Sequence, residues 1–506
     1  MSLYRHFCKE SFDETGTLKT FELQYPDHFN FAYDVVDVMA EETPQDTALI
    51  WCNAQGDERT FTYSDIARFS NETANALKKR GVKKGDIVMV ILKRHYEYWF
   101  VATALHKIGA ILVPVTHMLT ADDLVHRIKS AKIKAVICTP TCDVPAKVLE
   151  AQSRCDSLKI LWTVQESVPG FHNLTEELQD DCWERVETRV TDPMIMYFTS
   201  GTTGYPKGVI HDHSYPLAHI ITAKYWQRVI EGGLHFTVAE TGWGKASWGK
   251  IYGQWLCGCA VMAFDFDSFE PKQLMSIINQ YGVTTFCGPP TVYRYFVKKG
   301  MVDMPSLQYA TTAGEALHTD IFLKFLEKTG LPVMEGFGQT ETALILANLA
   351  GTESRPGSMG KPSPLYHVDL YDEYEKPVLL GEVGEIVLIP PKDKKQPGIF
   401  VGYYENEDLY QKAWRGGVYH TGDTAWQDED GYFWFHGRAD DVIKTGGFRV
   451  GPFELENVLM EHPAVLECAV VGIPDPLRGQ AIKAYVVVNT GYEADVSLQK
   501  ELREFC

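Results

Sequence analysis

Short apolar runs alternate with helical patterns through much of the chain, and this alternation constrains the fold more than any other sequence feature. Predicted strands begin at Ile87, Ile111, Ala135, Cys259 and Thr284. Predicted helices span residues 98–108, 121–130, 271–280 and 291–298. Strands that alternate with helices are typical of doubly wound parallel sheets. We therefore predict an α/β fold whose ligand-binding loops follow the carboxyl ends of its strands.

The pattern changes between Gly357 and Gly431. Turn clusters with the sequences GSMGKP, DEYEKP, GEVGE and DEDG separate short alternating segments there, which predicts a small antiparallel β unit. A polar RADD sequence then begins at Arg438, and a new apolar pattern follows it. We predict a large N-terminal domain over residues 1–437 and a small, mobile α+β domain over residues 438–506.

Composition excludes several classes of protein. The chain has 48 basic and 67 acidic residues and a net charge of −19, which is too acidic for a general nucleic-acid partner. No apolar run approaches the roughly 18 residues of a membrane span, so we predict no integral membrane segment. The eleven cysteines form no CxxC pair and fit reduced, buried thiols. We expect a soluble, unsecreted, cytoplasmic protein, and make no prediction of its oligomeric state.

The segment TSGTTGYPKG, residues 199–208, is the most informative stretch of the sequence. It follows a strand-like MIMYF run and contains three glycines, several hydroxyl side chains and Lys207. Glycines let backbone N–H groups converge on an anion, hydroxyls add donors and a lysine adds a point charge. A Walker A pattern cannot be aligned with this segment. We therefore predict a polyphosphate-binding loop of another kind.

Further motifs follow in a fixed order, and together they identify a family. These are TAGEAL from Thr312, GFGQTET from Gly336, GEVGEI from Gly381, YHTGD from Tyr419 and GRADDVIKTGGFRVGPFELE from Gly437. With the loop they resemble the AMP-forming acyl-CoA synthetase, adenylation-domain and luciferase superfamily over nearly the whole chain. The segments ETGWGKASW from Glu240 and PDPLRGQAIKAYVVV from Pro474 look most like medium-chain acyl-CoA synthetases.

The resemblance implies that ATP activates a carboxylic acid to an acyl-adenylate with release of pyrophosphate. The acyl group then passes to the thiol of coenzyme A. By the same resemblance Lys207, Thr340 and Glu341 are catalytic, and Glu341 coordinates Mg²⁺. The implied ATP-binding residues are Thr199, Ser200, Gly201, Thr202, Thr203, Gly204, Tyr205, Pro206, Lys207, Gly314, Glu315, Ala316, Glu335, Gly336, Phe337, Gly338, Gln339, Thr340, Asp423 and Arg438.

The remaining implied sites concern domain movement, coenzyme A and the acid. Asp440 resembles the hinge aspartate about which the C-terminal domain turns. The implied coenzyme A residues are Gly446, Gly447, Phe448, Arg449 and Arg478. Trp243 and Gly338 are predicted to line the acyl pocket, with Trp248 as a further candidate wall. Acetate-specific relatives carry tryptophan at the place of Gly338, which favours a larger acid here.

Two other functions stay open at this point. One is an aryl-acid ligase of the benzoate type, because the many aromatic residues also suit a ring. The other is a catalytically silent protein that binds nucleotide or acyl groups. The superfamily's PKTxSGK-like stretch, which supplies a lysine to adenylation, is not reached before Cys506. We expect the sequence to be a piece of a longer protein, the alternative being an enzyme that adenylates poorly.

Overall fold

The computed structural model describes residues 1–199, 206–315, 317–392, 395–446 and 448–506. Their strands form four sheets, and the two largest carry the predicted alternation of strands and helices. The smallest is a hairpin of Cys8–Phe12 and Leu18–Leu23.

The first large sheet has eight strands with a parallel centre. In sheet order they are Gly402–Tyr403, Lys207–Asp212, Pro193–Thr199, Ile111–Pro114, Ile87–Ile91, Ala135–Cys138, Ile160–Thr163 and His172–Asn173. Every residue of the central strand Ile87–Ile91 is buried, as expected of a parallel strand covered on both faces. Only Lys207–Asp212 and Gly402–Tyr403 at one edge run antiparallel to their neighbours among the described strands.

The second large sheet has thirteen strands. In sheet order they are His367–Tyr371, Gly384–Ile389, Tyr419–Gln427, Phe433–Arg438, Ser358–Pro362, Leu344–Ala347, Val333–Gly338, Tyr309–Ala313, Thr285–Cys287, Leu234–Thr237, Ala260–Asp265, Thr47–Asn53 and Glu58–Thr62. The strands from Val333–Gly338 to Thr47–Asn53 are parallel, and those from Leu344–Ala347 to His367–Tyr371 are antiparallel. The predicted antiparallel unit is therefore a continuation of the parallel sheet.

Helices cover these sheets and match the sequence pattern closely. The α-helices are Val38–Glu42, Tyr63–Lys79, Glu97–Ile108, Ala121–Ser130, Val144–Ser153, Tyr215–Ile220, Gly244–Lys250, Tyr252–Leu256, Pro271–Gln280, Pro290–Lys299, Thr319–Thr329, Glu407–Ala413, Pro452–Glu461 and Val496–Phe505. Shorter 3₁₀ and π turns are Tyr4–His6, Ala32–Asp37, Thr175–Glu177, Ile221–Trp226 and Arg415–Gly417. Among the described helices, none has the length and apolar character needed to cross a bilayer.

Two helices show why the pattern predicts the fold well. Helix Glu97–Ile108 is buried at every position, as a helix between layers must be. Helix Ala121–Ser130 is amphipathic, and a capping box between Thr120 and Asp123 fixes its first turn. Both occupy the predicted ranges to within one residue, and the α/β fold class is confirmed.

The C-terminal part of the chain has its own small sheet and core. Its antiparallel strands, in sheet order, are Phe448–Val450, Ile443–Thr445, Gly479–Val488 and Val465–Asp475. Helices Pro452–Glu461 and Val496–Phe505 cover one face through Leu459, Leu498 and Leu502. This agrees with the predicted α+β character. The division at residues 437 and 438 stays a prediction.

Candidate active site

A cavity of about 920 Å³ is lined by loops and strand ends of both large sheets. The eight-stranded sheet contributes Thr199, the segment 206–208 and Tyr403. The thirteen-stranded sheet contributes segments 335–338, 419–423 and Arg438. The cavity lies where the last parallel strand, Val333–Gly338, meets the antiparallel half of its sheet. Ligand sites in α/β sheets typically lie at the carboxyl ends of the parallel strands, and Gly336–Gly338 form that end of the strand Val333–Gly338.

Lys207, Glu341 and Tyr403 form a closed set of contacts inside this cavity. The Lys207 Nζ lies 2.9 Å from Glu341 Oε1 and donates to the Tyr403 hydroxyl at 2.8 Å. The Tyr403 hydroxyl donates in turn to Glu341 Oε1 at 2.9 Å. The two predicted catalytic groups are therefore adjacent, although 134 positions separate them in the sequence.

A second polar group surrounds Asp423. The Gln339 side-chain amide donates to an Asp423 carboxylate oxygen and, at 2.8 Å, to the Thr421 carbonyl. Arg438 Nη1 lies 3.4 Å from Asp423 Oδ1, and its Nε lies 3.3 Å from Asp440 Oδ1. Burial raises the pKa of Asp423 to about 6, and the Arg438 charge opposes that rise. The implied ATP-binding aspartate Asp423 and the implied hinge aspartate Asp440 thus share one arginine.

Glu335 lines the same cavity, but its carboxylate already accepts hydrogen bonds from two backbone N–H groups. Its Oε2 accepts from the Leu317 N–H at 3.1 Å, and its Oε1 accepts from the Gly357 N–H at 2.9 Å. Burial raises the pKa of Glu335 to about 8, and the two backbone donors oppose that rise. Glu335 therefore joins the cavity wall to two neighbouring loops.

Thr340 stands at the boundary between the first cavity and a second one. His211 Nε2 lies 2.7 Å from the Thr340 carbonyl oxygen. Burial lowers the pKa of His211 to about 4, so the ring is neutral near pH 7 and donates to that carbonyl from Nε2. This bond holds the backbone at Thr340 against the strand Lys207–Asp212.

The second cavity, of about 860 Å³, extends from this boundary. Both cavities are lined by Gly314, Glu315, Gly336, Gly338, Gln339 and Thr340. Six aromatic side chains contribute to the rest of the second wall: Tyr197, Tyr215, Trp226, Trp243, Trp248 and Phe266. The structure thus brings together the three residues that the sequence analysis assigned to an acyl pocket, Trp243, Trp248 and Gly338.

Two further features shape the second cavity. Trp226 packs so closely on Gly336 that a Cβ there would lie 2.7 Å from the indole ring. A Cβ at Gly338 would lie 2.7 Å from the Ala343 carbonyl oxygen. A side chain at either position would clash with these neighbours, so glycine at 336 and 338 allows the backbone to form the wall that the two cavities share. Lys245 lies in the same wall and donates to the Ala313 carbonyl at 2.7 Å.

Some predicted site residues fall outside the described part of the chain. These are Ser200, Gly201, Thr202, Thr203, Gly204, Tyr205, Ala316 and Gly447. The described residues that line these two cavities include none beyond Arg438 in the sequence. None of the predicted coenzyme A residues is therefore among them. Gly446 donates its N–H to the Arg478 carbonyl at 3.0 Å, so these two predicted residues are neighbours. Phe448 and Arg449 belong to the strand Phe448–Val450.

Sequence reasoning missed three residues of the site: Tyr403, His211 and Trp226. Tyr403 follows a glycine in an irregular segment, and no spacing relates it to Lys207 or Glu341. No motif or spacing in the sequence relates His211 or Trp226 to the other residues of the site. A helical or strand period identifies which face is buried, but it does not identify a contact between distant segments.

Comparisons with known proteins agree with the predicted family. Residues 36–404 match the family described as AMP-binding enzyme, and residues 454–506 match the AMP-binding enzyme C-terminal domain. Human mitochondrial acyl-coenzyme A synthetase ACSM3 is 37% identical over 500 residues, 96% of this chain and 84% of the human protein. Human mitochondrial ACSM4 is 38% identical over 481 residues, 93% of this chain and 82% of that protein.

Solved structures show the same architecture. An anthranilate CoA ligase, AuaEII, in complex with anthranoyl-AMP superimposes with a TM-score of 0.85 at 27% identity, covering 95% of this chain and 91% of that one. A Brucella canis acyl-CoA synthetase superimposes with a TM-score of 0.77 at 29% identity, covering 95% and 88%. The chain therefore belongs to the AMP-binding enzyme family, as one of its AMP-forming acyl-CoA synthetases.

Proposed function

We propose that this enzyme activates a medium-chain or similarly sized carboxylic acid with ATP and Mg²⁺ and transfers the acyl group to coenzyme A. One observation carries the proposal: the polar first cavity and the aromatic second cavity share the wall that ends at Thr340. A carboxylate at this wall faces the charged groups while its tail occupies the second cavity. The products are acyl-CoA, AMP and pyrophosphate.

The first half-reaction joins two anions, and the enzyme's task is to position and neutralise them. A carboxylate oxygen attacks the α-phosphorus, and the bond to pyrophosphate breaks. We assign Lys207 to the phosphates and Thr340 to the junction with the carboxylate. The remainder of the loop, residues 199–206, supplies donors to the same phosphates. In the second half-reaction the thiolate of coenzyme A attacks the acyl carbonyl, and AMP leaves.

A magnesium ion fits the donor set of the first cavity. Glu341 offers a carboxylate beside the predicted phosphate lysine, and its side chain is only 10% exposed. Mg²⁺ commonly binds through one or two carboxylates, substrate phosphates and retained waters. When bound, the ion would neutralise charge on the phosphates. Glu341 would hold it there after Lys207 turns toward the nucleotide.

The nucleoside has a set of candidate partners in the same cavity. Asp423 offers two acceptor oxygens to a ribose diol, and Gln339 and Arg438 hold that carboxylate in place. We assign the adenine to the wall formed by Gly314 and its neighbours, with the contributions of residues 315 and 335–338 predicted from the family. Arg438 would reach the ribose, and Asp440 would serve as the hinge.

The acid is assigned to the second cavity, with Trp243 and Gly338 in its wall. The glycine at 338 supports an acid larger than acetate, and relatives named acyl-coenzyme A synthetase support an acyl substrate. An aryl acid is the second candidate. It is favoured by the aromatic lining and by the similar ligase that holds anthranoyl-AMP.

Coenzyme A is assigned to the C-terminal sheet, at Gly446, Gly447, Phe448, Arg449 and Arg478. This assignment requires the C-terminal part to turn toward the second cavity. Cytoplasmic location stays a prediction, and the ACSM3 and ACSM4 relatives are named as mitochondrial proteins.

The direct test is mass-spectrometric detection of acyl-CoA. The full-length protein is incubated with ATP, Mg²⁺, coenzyme A and a panel of acids from acetate to decanoate, with benzoate and anthranilate added. AMP is counted in parallel. We expect a medium-chain thioester matched by AMP. An aromatic thioester would select the aryl-acid ligase, and bound ATP without any thioester would select the silent binding protein.

A further inference from the structure

The segment 398–404 connects the two groups that the proposed function places around the phosphates. On one side its backbone bonds to the Glu341 turn: the Phe400 N–H donates to the Glu341 carbonyl at 2.7 Å, and the Ala343 N–H donates to the Gly398 carbonyl at 2.8 Å. On the other side it bonds to the Lys207 strand, where the Tyr404 N–H donates to the Gly208 carbonyl at 2.8 Å. The segment therefore fixes the distance between Lys207 and Glu341.

Tyr403 is the side chain of this segment that reaches both groups. Its hydroxyl accepts from Lys207 at 2.8 Å and donates to Glu341 at 2.9 Å. The residue is 7% exposed, and its ring packs on Phe400 at a centroid distance of 4.7 Å. Strand pairing of Tyr403 with Val209 fixes the backbone at the same point. The hydroxyl therefore has little freedom to turn away.

Binding of a nucleotide would change which groups Lys207 and Glu341 contact. A Lys207 ammonium that turns toward a phosphate shares its three N–H donors between that phosphate and its present partners, Glu341 and Tyr403. Its contact with Glu341 then weakens inside a largely buried site, where a carboxylate without a cationic partner is costly. The Tyr403 hydroxyl is neutral and fixed, so it remains bonded to Glu341 during this exchange.

We propose that Tyr403 is a positioning residue that orients the Glu341 carboxylate toward Mg²⁺ when Lys207 moves to the phosphates. The inference rests on the proposed roles of Lys207 and Glu341. It goes beyond them because it assigns Tyr403 to metal retention and not to phosphate binding. Partners that orient a metal ligand typically change metal affinity by about 10- to 100-fold when they are removed.

The test is a calorimetric titration of ATP binding at a series of Mg²⁺ concentrations and in EDTA. For Tyr403→Phe in the full-length protein, we expect the apparent affinity of the ATP complex for Mg²⁺ to fall about 10- to 100-fold. Metal-free ATP binding should be no weaker than in the wild type, because Lys207 loses only a competing partner. Tyr410→Phe is the matched control, since its ring packs on the same Phe400 at 5.3 Å.

A double-variant comparison separates the possible outcomes. In a Glu341→Gln background, Tyr403→Phe should no longer change the Mg²⁺ dependence. The inference is overturned if its effect persists there, if metal-free ATP binding weakens equally, or if only the melting temperature falls. An unchanged Mg²⁺ dependence in Glu341→Gln alone would instead reject the proposed metal role of Glu341, and the inference with it.

Discussion

The two cavities share one wall but differ in the side chains that line the rest. In the first, charged side chains already bond to one another, as Lys207 does to Glu341 and Arg438 does to Asp423. In the second, aromatic rings, among them tryptophans 226, 243 and 248, form a large part of the apolar lining, beside charged groups such as Arg94 and Glu240. A charged ligand that enters the first cavity can therefore replace one partner of these ion pairs. In the proposed function, the second cavity selects the tail of the acid largely by shape.

This difference explains why the sequence identifies the family but leaves the acid substrate open. The proposed ligand of the first cavity, a polyphosphate, needs charged groups and hydrogen-bond donors at fixed positions, and the motifs recognised in the sequence lie at this cavity. A cavity that selects by shape discriminates between acids by small differences of volume, each worth about 1–3 kcal/mol per methylene. Residues at its wall can therefore change without changing the chemistry.

The largest expected effect comes from removing the lysine of the first cavity. Lys207→Ala should lower AMP formation by about 100- to 1,000-fold, the usual loss when one group that stabilises transition-state charge is removed. AMP release measured by chromatography checks this result. Lys324→Ala is the control, because that exposed lysine pairs with Asp320 on a surface helix. Wild-type AMP release by a folded Lys207→Ala variant would contradict the proposed role.

The second prediction concerns the second cavity alone. Trp248→Ala should shift the ratio of kcat/KM for bulky over short acids by about 10- to 200-fold, because it enlarges an apolar pocket. The KM for ATP should stay unchanged, since Trp248 does not line the first cavity. Trp243→Ala is the matched comparison. Its side chain is 54% exposed, so the shift should be smaller, and an equal shift would refute this difference.

The third prediction uses the titration of Asp423. Its pKa of about 6 lies above the unfolded value of about 3.9, so the folded state holds the proton more tightly. Stability contributed by this group therefore falls as pH rises from about 4 to about 6. As the proposed ribose ligand, Asp423 accepts from both hydroxyls of the diol best when it is ionised. ATP affinity should consequently fall below about pH 6, approaching tenfold per unit.

Calorimetric titration of ATP between about pH 5 and about pH 8 checks this expectation. Asp423→Asn should show weaker binding with no such slope. A slope that persists in Asp423→Asn would assign the titration to another group.

The smallest expected effect is structural. Glu335→Gln should lower the free energy of unfolding by about 1–3 kcal/mol, because one backbone N–H would face an amide donor in place of an acceptor. Denaturant titration measures this loss, and Glu327→Gln on an exposed helix surface serves as its control. AMP formation should change less than in Lys207→Ala. A variant as stable as the wild type would show that the Leu317 and Gly357 bonds contribute little.

Much of the fold could be predicted because its signals are local. The helix at 121–130 was predicted to the residue, since amphipathic period and capping both lie within that segment. The continuation of the antiparallel unit into the parallel sheet could not be predicted. It depends on pairing of Phe337 with Leu346 and of Ser358 with Trp434, contacts that no local pattern encodes.

The candidate active site likewise contains residues that the sequence predicts and residues that it does not. Lys207, Glu341 and Asp423 were predicted because each lies in a motif, and the structure places all three at one cavity. Tyr403 was missed because its role arises from strand pairing with Val209 and backbone contact with the Glu341 turn. Trp226 was missed because its position over Gly336 follows from the packing of a distant helix.

Arg438 has a consequence for the energetics of the whole enzyme. Its guanidinium bonds to the predicted ribose aspartate and, two residues away in sequence, to the predicted hinge aspartate. A ligand that bonds to the Asp423 carboxylate would weaken the contact between Asp423 and Arg438. The contact between Arg438 and Asp440 would then change in strength as well. In the proposed function such coupling is reciprocal in free energy: the factor by which loosening the Arg438–Asp440 contact would change nucleotide affinity equals the factor by which bound nucleotide would change the stability of that contact.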